Sequence, residues 1–304
     1  MIMPRRKNAI KQGGAGYTIF QIVTMALFLL FAFACIYPFW YIIIYSFSNP
    51  TLSALGLGFL PRGFTTRAFE EVLKQPQIYS GFIVSTLRSV VGTVLTLFFS
   101  AMFAYVLTKD QYPMRKFIYR LTIVSMYIQV GLIPWFLTMR AYGLKDNFLL
   151  YVIPGAVSAF YVVLIRTYIQ NIPDSIEEAA LIDGANFFQI YTRIVLPVCK
   201  PVLAAVAVFS AVGQWNSWTD NMFLVSDPNL QTMQYMLYKM LNQAQALVTA
   251  IQHGALAGGR QPPPMSTMVI QMCSTVITVI PIILVYPFLQ RYFVKGIMMG
   301  AVKA

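Results

Sequence analysis

The chain has 304 residues, 58% of them hydrophobic and only 11% charged, with a mean hydropathy of +0.65. Soluble domains carry about 25% charged residues, so this composition excludes that class and implies an all-α, polytopic membrane protein. The net charge of +12 would suit a nucleic-acid binder, but on a membrane protein positive charge is usually topogenic and faces anionic lipid. The position of each charge decides between these readings. Cys35, Cys199 and Cys273 lie in or beside apolar segments without zinc-finger spacing, so no disulfide or metal site is indicated.

In chain order, residues 1–16 form a short basic tail with Arg5, Arg6, Lys7 and Lys11. Residues 17–47 are too long and too aromatic for the apolar part of a cleaved signal, so they are expected to be a retained first span. At 1.5 Å per residue this run exceeds the ~30 Å hydrocarbon core and must tilt or bend, with Pro38 the natural place. Further spans are expected at residues 79–108, 117–138, 147–170, 202–225 and 267–293, making one membrane-embedded unit over residues 17–293. A polar loop at 173–197 and an external segment at 226–266 interrupt it, and residues 294–304 form a terminal tail.

Orientation follows from the basic residues. With the N-terminus inside, Arg5, Arg6, Lys7, Lys11, Lys109, Arg115, Lys116, Arg120, Arg166, Arg193, Lys200, Arg291, Lys295 and Lys303 are cytoplasmic. Outside are Arg62, Arg67, Lys74, Arg140, Lys145, Lys239 and Arg260, and Arg88 falls within a span. The two-to-one bias predicts six transmembrane helices with both termini in the cytoplasm. It also places loop 173–197 in the cytoplasm.

That loop is the chain's most informative stretch. Pro173, Asp174 and Ser175 supply a helix start, and Asp174, Glu177 and Glu178 sit in the first turn, where the helix dipole favours acids. Gly184 breaks the run, a second piece follows over residues 185–194, and Leu196-Pro197 turns the chain into the next apolar segment. The expected form is a bent helix pair outside the bilayer. High helix propensity accounts for Glu178-Ala179-Ala180 but not for Gly184 and Leu196-Pro197 at their distances.

Residues 178–197, EAALIDGANFFQIYTRIVLP, resemble the EAA loop of permease subunits in bacterial binding-protein-dependent ABC importers. The segments GLIPWFLTMRAYGLKDN, IPDSIEEAALIDGAN, GQWNSW and YPFLQRYFVKGIMMGAVKA extend the resemblance over the whole chain. They are similar to carbohydrate-uptake permeases serving oligosaccharides and polysaccharide fragments, and the tail resembles the smaller permease of the maltose type. The resemblance implies a type I importer fold in the bacterial cytoplasmic (inner) membrane. It further implies three partners: a second, homologous permease, an ATPase dimer and an extracytoplasmic solute-binding protein that delivers the sugar.

By the same resemblance, the loop couples the permease to the ATPase. Glu178 would accept a charge-assisted hydrogen bond from a basic ATPase residue. Ala179 and Ala180 would allow close approach, Gly184 would permit the bend, and Leu196 and Pro197 would complete the motif. Asp183 would cap the second helix or pair with the ATPase. Leu181, Ile182, Phe187 and Phe188 would fill the ATPase groove or pack back on the membrane helices. The tail beyond Lys295 would lie against the ATPase dimer or form a frayed basic terminus.

No G-x-x-x-x-G-K-[ST] sequence occurs, so no nucleotide site or other cofactor is expected in this chain, and ATP and magnesium would reside on the partner ATPase. No catalytic or metal-ligand cluster points to an enzyme. The alternative from another class is an ion-coupled secondary carrier, which would need intramembrane carboxylate pairs or broken-helix repeats, and the sequence offers neither.

Candidates for the substrate path lie in the fifth span. Gln214, Trp218 and Asn221 share a helical face by spacing, and Asn216 pairs with Asp220 on another. Sugars bind through aromatic faces and hydrogen-bonding side chains, although aromatic residues also gather at membrane interfaces without any ligand. Arg88 lies about 15 Å into the second span. It meets an acidic sugar such as a uronate oligosaccharide, pairs with Asp220 or the partner permease, or snorkels outward. Residues 230–248 have helical apolar spacing, and the glycine- and proline-rich stretch after them is expected to be loose. This external segment would dock the binding protein or act as a lid, and lone His253 reads as a solvated residue.

Overall fold

The computed structural model describes residues 15–53, 58–128, 130–252 and 267–301. Among them all regular structure is helical. Helix α1 (Ala15–Ser46) runs unbroken with Pro38 inside it. Two short helices, α2 (Pro50–Ser53) and α3 (Arg67–Leu73), lead to α4 (Pro76–Val106). Pro76 opens α4 in the first turn, where its missing N–H is no loss and its fixed φ already suits a helix.

The expected third span is two helices, α5 (Arg115–Ser125) and α6 (Leu132–Ala141), separated by an extended Gly131. Pro134 falls in the first turn of α6, so the new helix starts where the proline is tolerated. The fourth is also broken, into α7 (Leu149–Val152) and α8 (Ala159–Ile169), with Pro154 and Gly155 between them. Non-helical backbone at this depth needs partners from the protein, and α4 supplies them. Thr96 Oγ1 donates to the Gly155 carbonyl at 2.8 Å, and the Ser158 N–H donates to Ser100 Oγ at 3.1 Å.

The polar loop contains α9 (Asp174–Ile182), α10 (Phe187–Ile190), a π-helical turn Tyr191–Val195 and α11 (Leu196–Val198). The fifth span is broken as well: α12 (Lys200–Asn216) ends at an extended Ser217, and α13 (Thr219–Leu224) follows. After a 3₁₀ turn comes α14 (Met233–Gln252), the helix expected in the external segment. Helix α15 (Thr267–Ala301) encloses Pro281 and Pro287, and the tail expected from residue 294 is helical through Ala301. The basic N-terminal residues 1–14, the stretch 253–266 with His253 for which a loose loop is expected, and residues 302–304 lie outside the described residues.

Among the described residues, three helices are each long and apolar enough to cross a membrane alone: Gly16–Ser46, Pro76–Val106 and Met268–Val285. Helices α4 and α12 form the central pair, with α8 against α4 and α15 across α1, α12 and α14. Between apolar helices in lipid, close van der Waals contact and hydrogen bonds replace the hydrophobic drive, so small residues matter at the crossings. Gly92 is one: a Cβ there would stand 2.8 Å from Gln214 Nε2.

One end of α4 packs with α3, α14 and α15 around Val72, Ile78, Met236 and Cys273. The other end, near Ala101, Ala104 and Tyr105, receives α8 and the polar loop. Two candidate functional regions therefore sit towards opposite ends of one 31-residue helix.

The loop before α7 is tied to the chain after α13 by Asp146, whose φ of 51° is left-handed. Its Oδ1 accepts from the N–H groups of Ser226 at 2.5 Å and Asp227 at 3.0 Å. These bonds, with help from Lys145, hold the Asp146 carboxyl below the usual carboxylate range. A depressed pKa contributes stability that is complete above the unfolded value of about 3.9 and is lost as pH falls through the folded value. Thermal unfolding of the purified chain and of Asp146→Asn should therefore differ above about pH 4, and the gap should close on further acidification.

Candidate functional site

The polar loop has an anchored face and an open face. Helix α9 begins right after Pro173 and ends at Asp183, and Gly184 then takes φ +82° to turn the chain. The next piece is started by a reciprocal cap: the Gln189 N–H donates to Asn186 Oδ1 at 2.9 Å, and the Asn186 N–H donates to Gln189 Oε1 at 3.0 Å. Such a cap is worth about 1 kcal/mol. Asn186 thus performs the capping expected of Asp183, which instead terminates α9. The segment Phe187–Val198 meets Lys200–Asn216 at 80°, with Leu196, exposed Pro197 and Cys199 at the corner.

Ala180, Ile190, Tyr191 and Val195 point inward and join Ala101, Ala104, Tyr105 and Leu107 of the α4 end in one buried cluster. Ala180 is therefore a packing residue of the loop's inner side rather than an open approach point. Tyr191 donates to the Phe98 carbonyl at 2.9 Å. Glu177 accepts from Lys109 Nζ and lies 3.5 Å from the Tyr105 hydroxyl, while Lys109 sits over the Tyr105 ring at 4.2 Å. Sequence reasoning passed over Glu177 as an anchor. The signal was its three-residue spacing from Ala180, which puts both on one side of α9.

The opposite face is open. Glu178, Ala179, Asp183 and Gly184 are exposed, and beside them Ile182 is 85% and Phe188 60% exposed, with Leu181 and Phe187 also open. An apolar patch rimmed by carboxylates, on a segment clamped from beneath, is suited to seat in a partner's groove.

Near the middle of α4, Arg88 is 3% exposed and donates from all three guanidinium nitrogens. Its Nη1 and Nη2 donate to Asp220 Oδ1 and Oδ2 at 3.1 and 2.5 Å, its Nε to Gln214 Oε1 at 3.0 Å, and its Nη1 also to the Ser217 carbonyl at 3.3 Å. The Tyr151 ring lies beneath the guanidinium at 4.6 Å. Pairing with Asp220 is thus the reading of Arg88 that the geometry favours over snorkelling or a free cation aimed at a sugar.

The path candidates are differently placed from the spacing argument. The break at Ser217 removes the continuous helical face proposed for Gln214, Trp218 and Asn221. Asp220 and Asn221 are buried, Gln214 is half-buried against α4, and Asn216 is exposed. Trp218 stacks on Tyr238 of α14, centroids 4.1 Å apart at 16°. The residue that sequence reasoning missed is Tyr151, whose tyrosine within an apolar run carried no distinguishing signal.

Apolar helices around a central pair, with a clamped loop presenting an open apolar face at one end, define a membrane-embedded protein with a docking surface. The breaks in the third to fifth expected spans, which the sequence reading did not anticipate, are shared with ion-coupled carriers and do not separate the two classes. The family model described as "Binding-protein-dependent transport system inner membrane component" matches residues 78–299, and the chain belongs to that family. It is 32% identical over 288 residues to the polygalacturonan/rhamnogalacturonan transport system permease protein YtcP of Bacillus subtilis (strain 168), covering 94% of this chain and 98% of that one. Protein LplC of the same organism is 34% identical over 269 residues, 88% of this chain and 89% of the relative. A crystal structure of a bacterial ABC transporter involved in the import of the acidic polysaccharide alginate superposes with a TM-score of 0.81 at 31% identity, over 92% of this chain and 99% of that one.

The protein is accordingly a multi-pass inner-membrane permease subunit of an ABC importer, a transport component rather than an enzyme. Membership implies work alongside an ATPase, a substrate-binding protein and a second permease.

Proposed function

We propose that the chain forms half of the translocation path for an oligosaccharide derived from an acidic polysaccharide, in a six-span, N-in and C-in arrangement with a homologous permease. The acidic class is supported by the relatives named for polygalacturonan/rhamnogalacturonan and for alginate. It does not rest on Arg88, whose donors are taken up by Asp220, Gln214 and Ser217. Asn216, exposed at the end of α12, is the candidate for a direct sugar contact.

The observation that carries the coupling role is the two-faced loop. Glu178 accepts from a basic residue of the ATPase. Ala179 lets the partner approach, Ile182 and Phe188 fill the groove, and Gly184 sets the angle between the two pieces. Leu196 and Pro197 lead into the corner at Cys199 through which motion passes to α12. ATP and magnesium belong to the ATPase. At the other end, the exposed outer part of α14, with Lys239, Asn242 and Gln243 open, serves as the surface for the solute-binding protein.

The test is uptake into proteoliposomes holding this chain, the second permease and the ATPase, supplied with the binding protein. Uronate oligosaccharides should accumulate in an ATP-dependent manner while neutral oligosaccharides of the same length accumulate far less. Equal accumulation of both would remove the acidic specificity, and uptake without the ATPase would favour an ion-coupled carrier.

A further inference from the structure

The start of α14 is held by side chains from deep in the bundle. The Met233 N–H donates to Ser85 Oγ of α4 at 2.9 Å, the Thr232 N–H donates to Asn221 Oδ1 at 3.3 Å, and the Tyr151 hydroxyl donates to the Leu230 carbonyl at 2.6 Å. Asn221 Nδ2 donates in turn to the Tyr151 oxygen at 2.5 Å, and the Asn221 N–H donates to Asp220 Oδ1 at 2.8 Å, the oxygen that also receives Arg88 Nη1. The first N–H groups of a helix have no partner inside it, and here the bundle satisfies one of them directly. Ser85, Asn221 and Thr232 are at most 1% exposed, so water cannot replace these bonds without the elements separating. Close approach completes the seat: a Cβ on Gly81 would fall 2.9 Å from Met236 Sδ.

We propose that Tyr151 and Asn221 are positioning residues that fix the angle of α14 for the binding protein, with the Arg88–Asp220 pair orienting both. The inference rests on the reading of α14 as the binding-protein surface. The hub makes α14 a rigid extension of α4 and of the α12–α13 break. The α4 segment around Ser85, the α12–α13 break and the start of α14 therefore move as one body, and a protein seated on α14 loads both helices. The ion pair inside the span thus serves delivery of the substrate rather than its recognition.

Tyr151→Phe tests this in the complete reconstituted complex, because it keeps the ring beneath Arg88 and removes only the hydroxyl. Loss of the two buried hydrogen bonds that this hydroxyl makes should raise the binding-protein concentration for half-maximal stimulation of ATP hydrolysis about 5- to 30-fold, with basal hydrolysis and the KM for ATP unchanged. Asn221→Ser should do the same. In parallel, a cysteine introduced by Gln243→Cys should cross-link to the binding protein in the native background and less efficiently with Tyr151→Phe. If the cross-link forms but half-saturation stays unchanged in both variants, the hub does not position α14. If the native background gives no cross-link, the docking reading itself fails. Should Tyr151→Phe not assemble, Ser85→Ala severs α4 from the same helix start and carries the same expectation and the same overturning result.

Discussion

Gly184→Pro is expected to abolish stimulated ATP hydrolysis while leaving the chain in the membrane. Gly184 holds φ +82°, and proline is fixed near −65°, so the turn between α9 and α10 cannot form and the open face loses its shape. A Cβ at Gly184 would meet nothing within 4 Å, so the permease itself imposes a conformational penalty there and no steric one. Gly184→Ala should therefore be milder, costing about 1–2 kcal/mol at the turn, and Gly184→Asn milder still, because asparagine enters the left-handed region more readily. Co-purification of the ATPase with each variant reads the series directly. An order of Asn, then Ala, then Pro in falling yield supports a backbone role. Equal loss in all three would mean that the partner needs the bare backbone at this point.

Asp220→Ala should be the most destabilising single change in the membrane portion. It leaves the Arg88 guanidinium buried without its bidentate partner, and breaking a buried pair on one side costs about 3–5 kcal/mol. Thermal unfolding in detergent should show a large drop. The double change Arg88→Leu with Asp220→Leu should recover most of it, since replacing both charges by apolar groups of similar volume is often neutral or stabilising. A double variant no more stable than Asp220→Ala would show that Gln214 and the Ser217 carbonyl depend on the guanidinium as heavily as Asp220 does.

The sequence made the coupling loop readable because its signals are local. Pro173 sets the helix start and Gly184 the bend, each through backbone conformation within a few residues. Leu196-Pro197, expected to turn the chain, instead lie within a helical piece, and the corner falls at Cys199, ahead of Pro201. The inner and outer faces of the loop were less legible, since the burial of Ala180 depends on Ala101 and Tyr105 some 75 residues away in sequence. Two of the three broken spans carried visible signals in Gly131 with Pro134 and in Pro154 with Gly155. Averaged hydropathy hid both because the segments stay apolar, and in the fourth the freed Gly155 carbonyl and Ser158 N–H are satisfied by Thr96 and Ser100. The break at Ser217 had no comparable marker. Its carbonyl is held by Arg88, a tertiary cause that no helical-spacing argument reaches.

Arg88 itself illustrates the same limit. A buried arginine in a span announces a polar partner, yet the choice between substrate, partner subunit and Asp220 needed the distances. Tyr151 was invisible for a related reason: its hydroxyl matters only because Leu230 and Asn221 are brought to it by folding.

The most direct test of the coupling account is ATP hydrolysis by the complex assembled from this chain, the second permease and the ATPase, measured with and without the loaded binding protein. The account predicts a stable complex whose hydrolysis is stimulated by the binding protein, with stimulation lost when Glu178→Ala is combined with Gly184→Pro. Substrate transport by the chain alone, without the ATPase and indifferent to both substitutions, would contradict it.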